Sequence, residues 1–272
     1  LSLVNIFIQL LVIVLIYLVT KKLFNYTTAI TAVLLFSFNP EVIKQADFIW
    51  QPYIMLPFAL LALYLKLKSR HLLGLATLCF ASLLHSSAYP WIPLFFLFPK
   101  KSAKYYIFGF SLIFVTLLLN GFGGFSLNLP MHATSLINYF SNVILNANEL
   151  LRAFYLNNIL AVLLLIGFFI TFKRAQNKRI LLFIFLLFIL PILLASFFDK
   201  IRLHYIILSM VTLPILVAKI TEIFKAPLLR IIIVIALLVV FSGYLSYFRI
   251  DAKNPLDNQR RVDEMTSTVL KE

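Results

Sequence analysis

The sequence predicts an all-α fold, a polytopic helical transmembrane bundle that crosses the bilayer about nine to ten times. Two observations predict it. The chain of 272 residues is 62% hydrophobic and only 12% charged, whereas a soluble domain is about 45–50% apolar and about 25% charged. Its apolar residues also form continuous runs rather than an alternating pattern, which favours helices over a transmembrane barrel. Soluble and disordered classes of protein are therefore excluded.

Apolar runs between charged residues define the predicted spans, since a bilayer core of about 30 Å needs about 20 helical residues. The runs lie at 3–20, 23–38, 48–65, 72–87, 88–98, 105–120, 155–172, 180–198, 204–218 and 231–248. The chain thus divides into transmembrane helices at 1–120, an extracytoplasmic loop with an interfacial helix at 121–154, further transmembrane helices at 155–248, and an extracytoplasmic tail at 249–272.

The charge distribution predicts the orientation. The stretch 72–98 can form one long helix or a hairpin that turns at His85–Pro90. Only a hairpin separates the cations cleanly, and the positive-inside rule then assigns their common side to the cytoplasm. Those residues are Lys21, Lys22, Lys66, Lys68, Arg70, Lys100, Lys101, Lys104, Lys173, Arg174, Lys178, Arg179, Lys219, Lys225 and Arg230. The net charge of +14 therefore reports topology and contact with the lipid bilayer, and no nucleic acid partner is expected.

The acidic residues follow the opposite pattern, because all of them except Glu222 fall on the extracytoplasmic side. Chemistry is therefore expected at the outer face. Between Met131 and Tyr155 apolar residues recur at helical spacing, which predicts an amphipathic helix along the membrane interface. In this topology the chain begins outside, so an odd number of helices is expected before Leu1.

Several stretches carry a resemblance to a known family. The first three spans read LSLVNIFIQLLVIVLIYLVTKKLF, a helix ending in FSFNP, and IWQPYIMLPFALLALYLKLK; LLHSSAYPWIPLFF and RLHYIILSMVTLPIL follow later. This order resembles membrane glycosyltransferases of the GT-C type, most closely glycosyltransferase family 39 in the protein mannosyltransferase and aminoarabinose transferase superfamily. The resemblance implies that a sugar moves from a polyprenyl-phosphate carrier to a lipid, protein or glycan acceptor at the outer face of the cell (inner) membrane.

The resemblance also implies where the catalytic carboxylate lies. In the family, this residue usually follows the first helix, in the first external loop. The present sequence looks as if it begins with the second helix, so the base is expected upstream of Leu1 and the catalytic residue of this chain is unknown.

Residues near the outer face are the candidates for this chemistry. Inverting transfer needs a base that deprotonates the acceptor and groups that stabilise the phosphate leaving group. The candidate bases are Asp47, Glu41 and His85. The candidates for binding the donor phosphate are Lys44, Lys200, Arg202, His204 and Tyr205, and those for contacting the sugar or acceptor are Trp50 and Gln51. Four scattered histidines and the single Cys79 predict no metal site, although a divalent cation stays open as a cofactor.

Each candidate also has a structural interpretation. Glu41, Lys44 and Asp47 can form a solvated ion pair worth about 0–1 kcal/mol. Trp50 fits an interfacial aromatic belt, and Arg202 can extend to headgroup phosphates. A hydroxyl from Ser86 or Ser87 can satisfy His85.

Other functions also stay open. One alternative is another cell-envelope polysaccharide enzyme, a polymerase or ligase. Such enzymes usually need a larger external loop rich in Arg and His, whereas 121–154 holds only Arg152 and His132. A further alternative is a non-catalytic transporter or scaffold. A transporter predicts ionisable residues in mid-span and an internal repeat, and the sequence shows neither.

Overall fold

The chain folds into a bundle of helices. The computed structural model describes residues 3–39, 42–43, 51–96, 103–122, 136–153, 158–196, 207–224, 226–236 and 238, and these contain no strand. The predicted all-α class is therefore confirmed. The helices are α1 (Leu3–Leu23), α2 (Tyr26–Ser37), α3 (Gln51–Leu67), α4 (His71–Leu84), α5 (Ile92–Phe96), α6 (Ala103–Phe122), α7 (Leu136–Ala153), α8 (Asn158–Arg174), α9 (Lys178–Ala195), α10 (Ile207–Ile220) and α11 (Pro227–Ala236), with 3₁₀ helices at Ser86–Trp91 and Thr221–Ile223.

The helices follow the apolar runs of the sequence closely. Among the described residues, α1 is the one helix that is long and apolar enough to cross a membrane by length and composition. Several others are apolar but shorter, at 10–17 residues. The number of membrane crossings therefore stays a prediction.

Asparagines begin two of the helices. The side-chain oxygen of Asn25 accepts a hydrogen bond from the backbone N–H of Thr28 at 2.9 Å, at the start of α2. Asn177 does the same for Ile180 at 3.3 Å, at the start of α9. Asparagine is among the preferred N-cap residues because its oxygen satisfies a backbone donor that the helix leaves without a partner.

The core lies between α1–α4, α9 and α10. Helix α10 is the most deeply placed, since every residue from Ile207 to Ala218 is buried. Helices α3 and α4 pack closely at Gly74, where an added Cβ would lie 2.8 Å from the carbonyl oxygen of Ala62. Only glycine permits this approach of the two backbones.

The described cations gather at one end of the bundle, here called the basic end. It comprises the α1–α2, α3–α4 and α8–α9 turns and the end of α10. Contacts between these turns join them: the Lys219 ammonium lies 4.9 Å from the ring of Phe24, and that of Lys66 lies 5.5 Å from the ring of Phe183. The far ends of the same helices form the opposite end.

The predicted hairpin within 72–98 is confirmed. Helix α4 ends before His85, and the chain returns through a 3₁₀ helix and the short helix α5. The Lys66 ammonium donates to the carbonyl oxygens of Leu94 and Phe95 at 3.3 and 2.9 Å. Lys66 lies in the last turn of α3, close to the start of α4. Its contacts with Leu94 and Phe95 therefore show that the chain has returned to the end of the bundle at which α4 begins.

One role from the sequence analysis needs correction. Lys66 is counted there as a charge of a cytoplasmic loop, yet the structure buries it with 7% of its surface exposed. Its ammonium group caps the carbonyl end of α5 and lies 4.8 Å from the ring of Phe95. A short helix leaves its last carbonyls without intrahelical partners, and a lysine can satisfy them.

Candidate functional site

Most of the predicted site residues lie outside the described residues. These are Glu41, Lys44, Asp47, Trp50, Lys200, Arg202, His204 and Tyr205. Gln51 begins α3, but its side chain is also outside what the structure describes. The other candidates lie in two segments, 41–51 (the first predicted segment) and 200–205 (the second predicted segment). The structure does describe His85 and the residues that flank these segments, and they define the candidate site at the opposite end of the bundle.

His85 connects α4 to the following 3₁₀ helix. Its Nδ1 accepts a hydrogen bond from the backbone N–H of Ser87 at 3.1 Å and lies 2.7 Å from the Ser87 hydroxyl. A backbone N–H can only donate, so Nδ1 carries the lone pair and the ring proton is on Nε2. Of the two serines that the sequence offered, Ser87 is the partner, and His85 caps the 3₁₀ helix.

Trp91 ties this segment to α9. Its indole N–H donates to the carbonyl oxygen of Leu187 at 3.0 Å. In an unbroken helix this carbonyl would accept from residue 191, but Pro191 has no N–H. The buried Trp91 therefore supplies the donor that the proline removes. Next to it, the Ser209 hydroxyl donates to the carbonyl of Phe188 at 2.6 Å and links α10 to the same turn.

Uncharged polar residues hold the start of the first predicted segment. The buried Asn39 follows α2, and its side-chain oxygen accepts from the backbone N–H of Val42 at 3.2 Å. The amide of Gln9, on α1, donates to the carbonyl of Val42 at 3.0 Å. The chain that leads towards Lys44 and Asp47 is thereby fixed to α1.

Helix α7 holds the start of the second predicted segment. Tyr139 donates to the carbonyl of Leu193 at 3.3 Å, Asn142 to that of Ser196 at 3.1 Å, and Asn146 to the Ser196 hydroxyl at 2.9 Å. Tyr139 and Asn142 satisfy carbonyls at the end of α9, and Asn146 binds the Ser196 hydroxyl, just before the segment with Lys200 and Arg202. The polar face of α7 thus points into the bundle, while Phe140 and Ile144 are about 60% exposed.

The helix predicted between Met131 and Tyr155 is present as α7. Its place at a membrane interface stays a prediction. The sequence analysis missed the polar residues that dock it, although their positions 139, 142 and 146 share one helical face. It also missed Gln9 and Asn39, which lie within or at the edge of apolar runs and give no charge signal.

The comparisons with known proteins add one finding. A model of the EpsG family matches residues 1–258. The chain belongs to the EpsG family. This family is membrane-associated and polymerase-like, and it points to cell-envelope polysaccharide biosynthesis. No curated protein and no solved structure matches the chain.

EpsG membership bears on the resemblance described above. It is compatible with a GT-C-like architecture, but it does not decide for glycosyltransferase family 39. It agrees in part with the polysaccharide enzyme that the sequence analysis kept as an alternative.

A second polar cluster of this EpsG-family chain lies at the basic end. Glu222, in the 3₁₀ helix after α10, accepts hydrogen bonds from Lys219, Thr28 and Asn25. Burial alone would raise the pKa of Glu222, but these hydrogen bonds and the charge of Lys219 outweigh it and hold the pKa below its ordinary value of 4.5. The carboxylate thereby fastens α10 to the first turn of α2.

The lowered pKa of Glu222 predicts a pH-dependent contribution to stability. Because the folded pKa lies below the unfolded one, the stabilisation is present above pH 4.5 and is lost as the pH falls through the folded value. Glu222→Gln should therefore be less stable than the native chain at pH 7, and the difference should shrink below pH 4.5. Thermal unfolding in neutral detergent between pH 7 and pH 3 measures this. A difference that stays constant over that range would contradict the assignment.

Proposed function

We propose that this EpsG-family chain is a multi-pass membrane enzyme that extends a cell-envelope polysaccharide at the extracytoplasmic face. It transfers sugar from a polyprenyl-phosphate-linked donor to the end of a glycan acceptor. The observation that carries this proposal is the family match over residues 1–258. Two features of the bundle support it: the apolar side chains exposed on its surface, and the polar side chains at its opposite end.

The surface of the bundle supports the membrane part of the proposal. Large apolar side chains stand outward on several helices, where water would disfavour so wide a patch. Lipid tails accept the same surface without this penalty. Examples that are more than half exposed are Leu3, Phe7, Ile107, Phe108, Phe110, Phe114, Phe169, Leu228 and Ile231. Because the described cations lie at the basic end, the positive-inside rule supports a cytoplasmic position for that end.

The chemistry is assigned to the opposite end. An acceptor hydroxyl attacks the anomeric carbon of the donor while a base removes its proton. The bond between the anomeric carbon and the phosphate oxygen breaks, and the polyprenyl phosphate leaves with the electron pair. Asp47, Glu41 and His85 are the candidate bases within the chain. Lys44, Lys200, Arg202, His204 and Tyr205 are the candidates for stabilising the phosphate, and Trp50 and Gln51 for contacting the sugar or acceptor.

The anchoring contacts explain how these candidates can work together. Asn39 and Gln9 fix the start of the segment that carries Asp47, and α7 fixes the end of α9 before Arg202. Such support limits the freedom of reacting groups, which is a large part of enzymatic rate enhancement. A divalent cation would supply additional charge for the leaving phosphate, and the candidate carboxylates are the residues suited to hold it.

A transfer assay tests this proposal. Membranes containing the full protein receive radiolabelled lipid-linked oligosaccharide extracted from the source envelope. A ladder of products indicates polymerisation, whereas a single addition indicates transfer of one unit. We expect Asp47→Asn and Arg202→Ala each to reduce transfer about tenfold or more, because each removes a charged contact to the reacting groups.

A change at the basic end serves as the control, and it matches Arg202→Ala in charge. Lys173→Gln removes an exposed cation at the basic end and should leave transfer unchanged. Native activity in both Asp47→Asn and Arg202→Ala would refute the assigned site. A single addition in place of a ladder would refute the polymerase assignment and favour a transferase of one sugar.

A further inference from the structure

A pocket of about 440 Å³ opens at the basic end. It lies between the α1–α2 turn, the α8–α9 turn and the end of α10. Apolar residues such as Leu23 and Ile180 form part of its wall, and its polar lining consists of Asn25, Arg174, Gln176, Asn177 and Lys219. The transfer chemistry is assigned to the opposite end, so this pocket has no part in it.

The polar lining suits an anion. Arg174 and Lys219 carry positive charge, Gln176 and Asn177 carry amide donors, and the lining residues include no acid. Glu222 is the one acid whose side chain the structure describes, and it contacts Lys219 from outside the lining. A guanidinium group matches the oxygens of a phosphate in geometry and in charge.

Two helices also begin at this pocket. Asn25 caps α2 and Asn177 caps α9, and both asparagines line the pocket. The first turns of these helices contain no acid. Helix α9 even begins with Lys178, although a helix N-terminus favours negative charge. The partial positive charge of two helix ends therefore adds to that of the side chains. Glu222 offsets part of it at Lys219 and at the start of α2, whereas among the described side chains no acid lies at Arg174 or at the start of α9.

The positive-inside rule does not explain these features together. Topology needs cations in short loops on one side, but it needs no cavity and no convergence of two helix ends on one. A bound anion would explain both, because it offsets the dipoles and the cations at one point. Basic pockets between membrane helices on the cytoplasmic side are known sites for anionic headgroups.

We propose that this pocket binds the phosphate ester of an anionic ligand, with Arg174 pairing the phosphate and the amide groups of Gln176 and Asn177 donating to its oxygens. Lys219 keeps its contact with Glu222 and donates to the phosphate with a further N–H of its ammonium group. The ligand is either the headgroup of an anionic phospholipid in the adjoining leaflet or a soluble phosphate ester. The cytoplasmic placement rests on the proposed orientation of the chain, whereas the pocket and its chemistry do not.

Thermal unfolding of the purified full chain tests the proposal. In neutral detergent the protein is titrated with phosphatidylglycerol in mixed micelles, and separately with inorganic diphosphate at constant ionic strength; phosphatidylcholine is the zwitterionic comparison. A ligand that binds only the folded state raises the Tm with increasing concentration. We expect phosphatidylglycerol or diphosphate to raise the Tm and phosphatidylcholine to leave it unchanged. A response to phosphatidylglycerol alone identifies a lipid headgroup, and a response to diphosphate identifies a soluble ester.

Two matched variants separate the pocket from general surface charge. Arg174→Gln should weaken the apparent affinity about tenfold, the effect of losing a charged hydrogen bond. Arg179→Gln removes the same charge from an exposed residue on the neighbouring turn that does not line the pocket, and it should retain nearly native affinity. Gln176→Ala provides a second change within the pocket if Arg174→Gln lowers the Tm without ligand.

The proposal is overturned if neither phosphate ligand raises the Tm. It is also overturned if Arg174→Gln and Arg179→Gln weaken binding equally, because the response then reflects surface charge alone. The readout involves no transfer of sugar, so it does not depend on whether the assigned polymerase chemistry is correct.

Discussion

Replacing Trp91 by alanine is expected to destabilise the fold by about 3–5 kcal/mol, the range for a fully buried large aromatic residue. Trp91 has no exposed surface and is among the largest buried side chains. Its loss opens a cavity and also leaves the carbonyl of Leu187 without a donor. Unfolding by a denaturing detergent in mixed micelles measures the change in free energy.

The two contributions can be separated by a double-mutant cycle. Trp91→Phe keeps most of the ring volume but removes the indole N–H, which should cost about 1–3 kcal/mol for the orphaned carbonyl. Pro191→Ala restores a backbone N–H at position 191, and that group can donate to the carbonyl of Leu187. The cost of Trp91→Phe should therefore be smaller in the Pro191→Ala background. Equal costs in both backgrounds would show that the indole hydrogen bond contributes nothing beyond packing.

The positions of the helices could be predicted from the sequence because charges and polar turns end apolar runs. The run at 3–20 becomes α1 at Leu3–Leu23, and that at 180–198 becomes α9 at Lys178–Ala195. The hairpin could be predicted because only a reversal of the chain within 72–98 keeps the basic residues on one side. This separation depends on the path of the whole chain and not on a local pattern. Neither signal needs knowledge of tertiary contacts.

Contacts between distant residues could not be predicted in this way. Trp91 and Leu187 are separated by 96 positions, and nothing near Pro191 in the sequence indicates which residue replaces its missing donor. Lys66 and Lys68 both lie at the end of the apolar run that forms α3, yet of the two only Lys66 is buried against the carbonyls of α5. Its role depends on where the hairpin returns, which is a property of packing.

The candidate site was predicted from charged and aromatic residues at the edges of apolar runs. The described contacts at the opposite end come instead from uncharged groups, such as the amides of Gln9 and Asn146 and the hydroxyl of Ser209. These residues are too few and too dispersed to stand out in a hydrophobic chain. His85 belongs to both groups. The sequence predicted it because it is ionisable, and the structure describes its hydrogen bonds to Ser87.

His85→Asn should leave the fold intact and reduce sugar transfer about 100-fold, at the lower end of the effect of removing a general acid or base. In the observed tautomer Nε2 carries the proton and can donate it towards the leaving phosphate oxygen. Asparagine is a preferred capping residue, and its side-chain oxygen can accept from the backbone N–H of Ser87 as Nδ1 does. It has no equivalent of the imidazole Nε2. The substitution therefore keeps the structural role of His85 and removes only the proton-transfer group. Thermal unfolding and the transfer assay are measured on the same preparation.

Ser87→Ala is the matched control for this prediction. It keeps the imidazole and the backbone cap but removes the hydroxyl 2.7 Å from Nδ1, at an expected cost of about 1 kcal/mol in stability. It should retain most of the transfer activity. Native activity in His85→Asn would show that His85 only caps the 3₁₀ helix. Asp47 and Glu41 would then remain the candidate bases, because deprotonation of the acceptor still requires one.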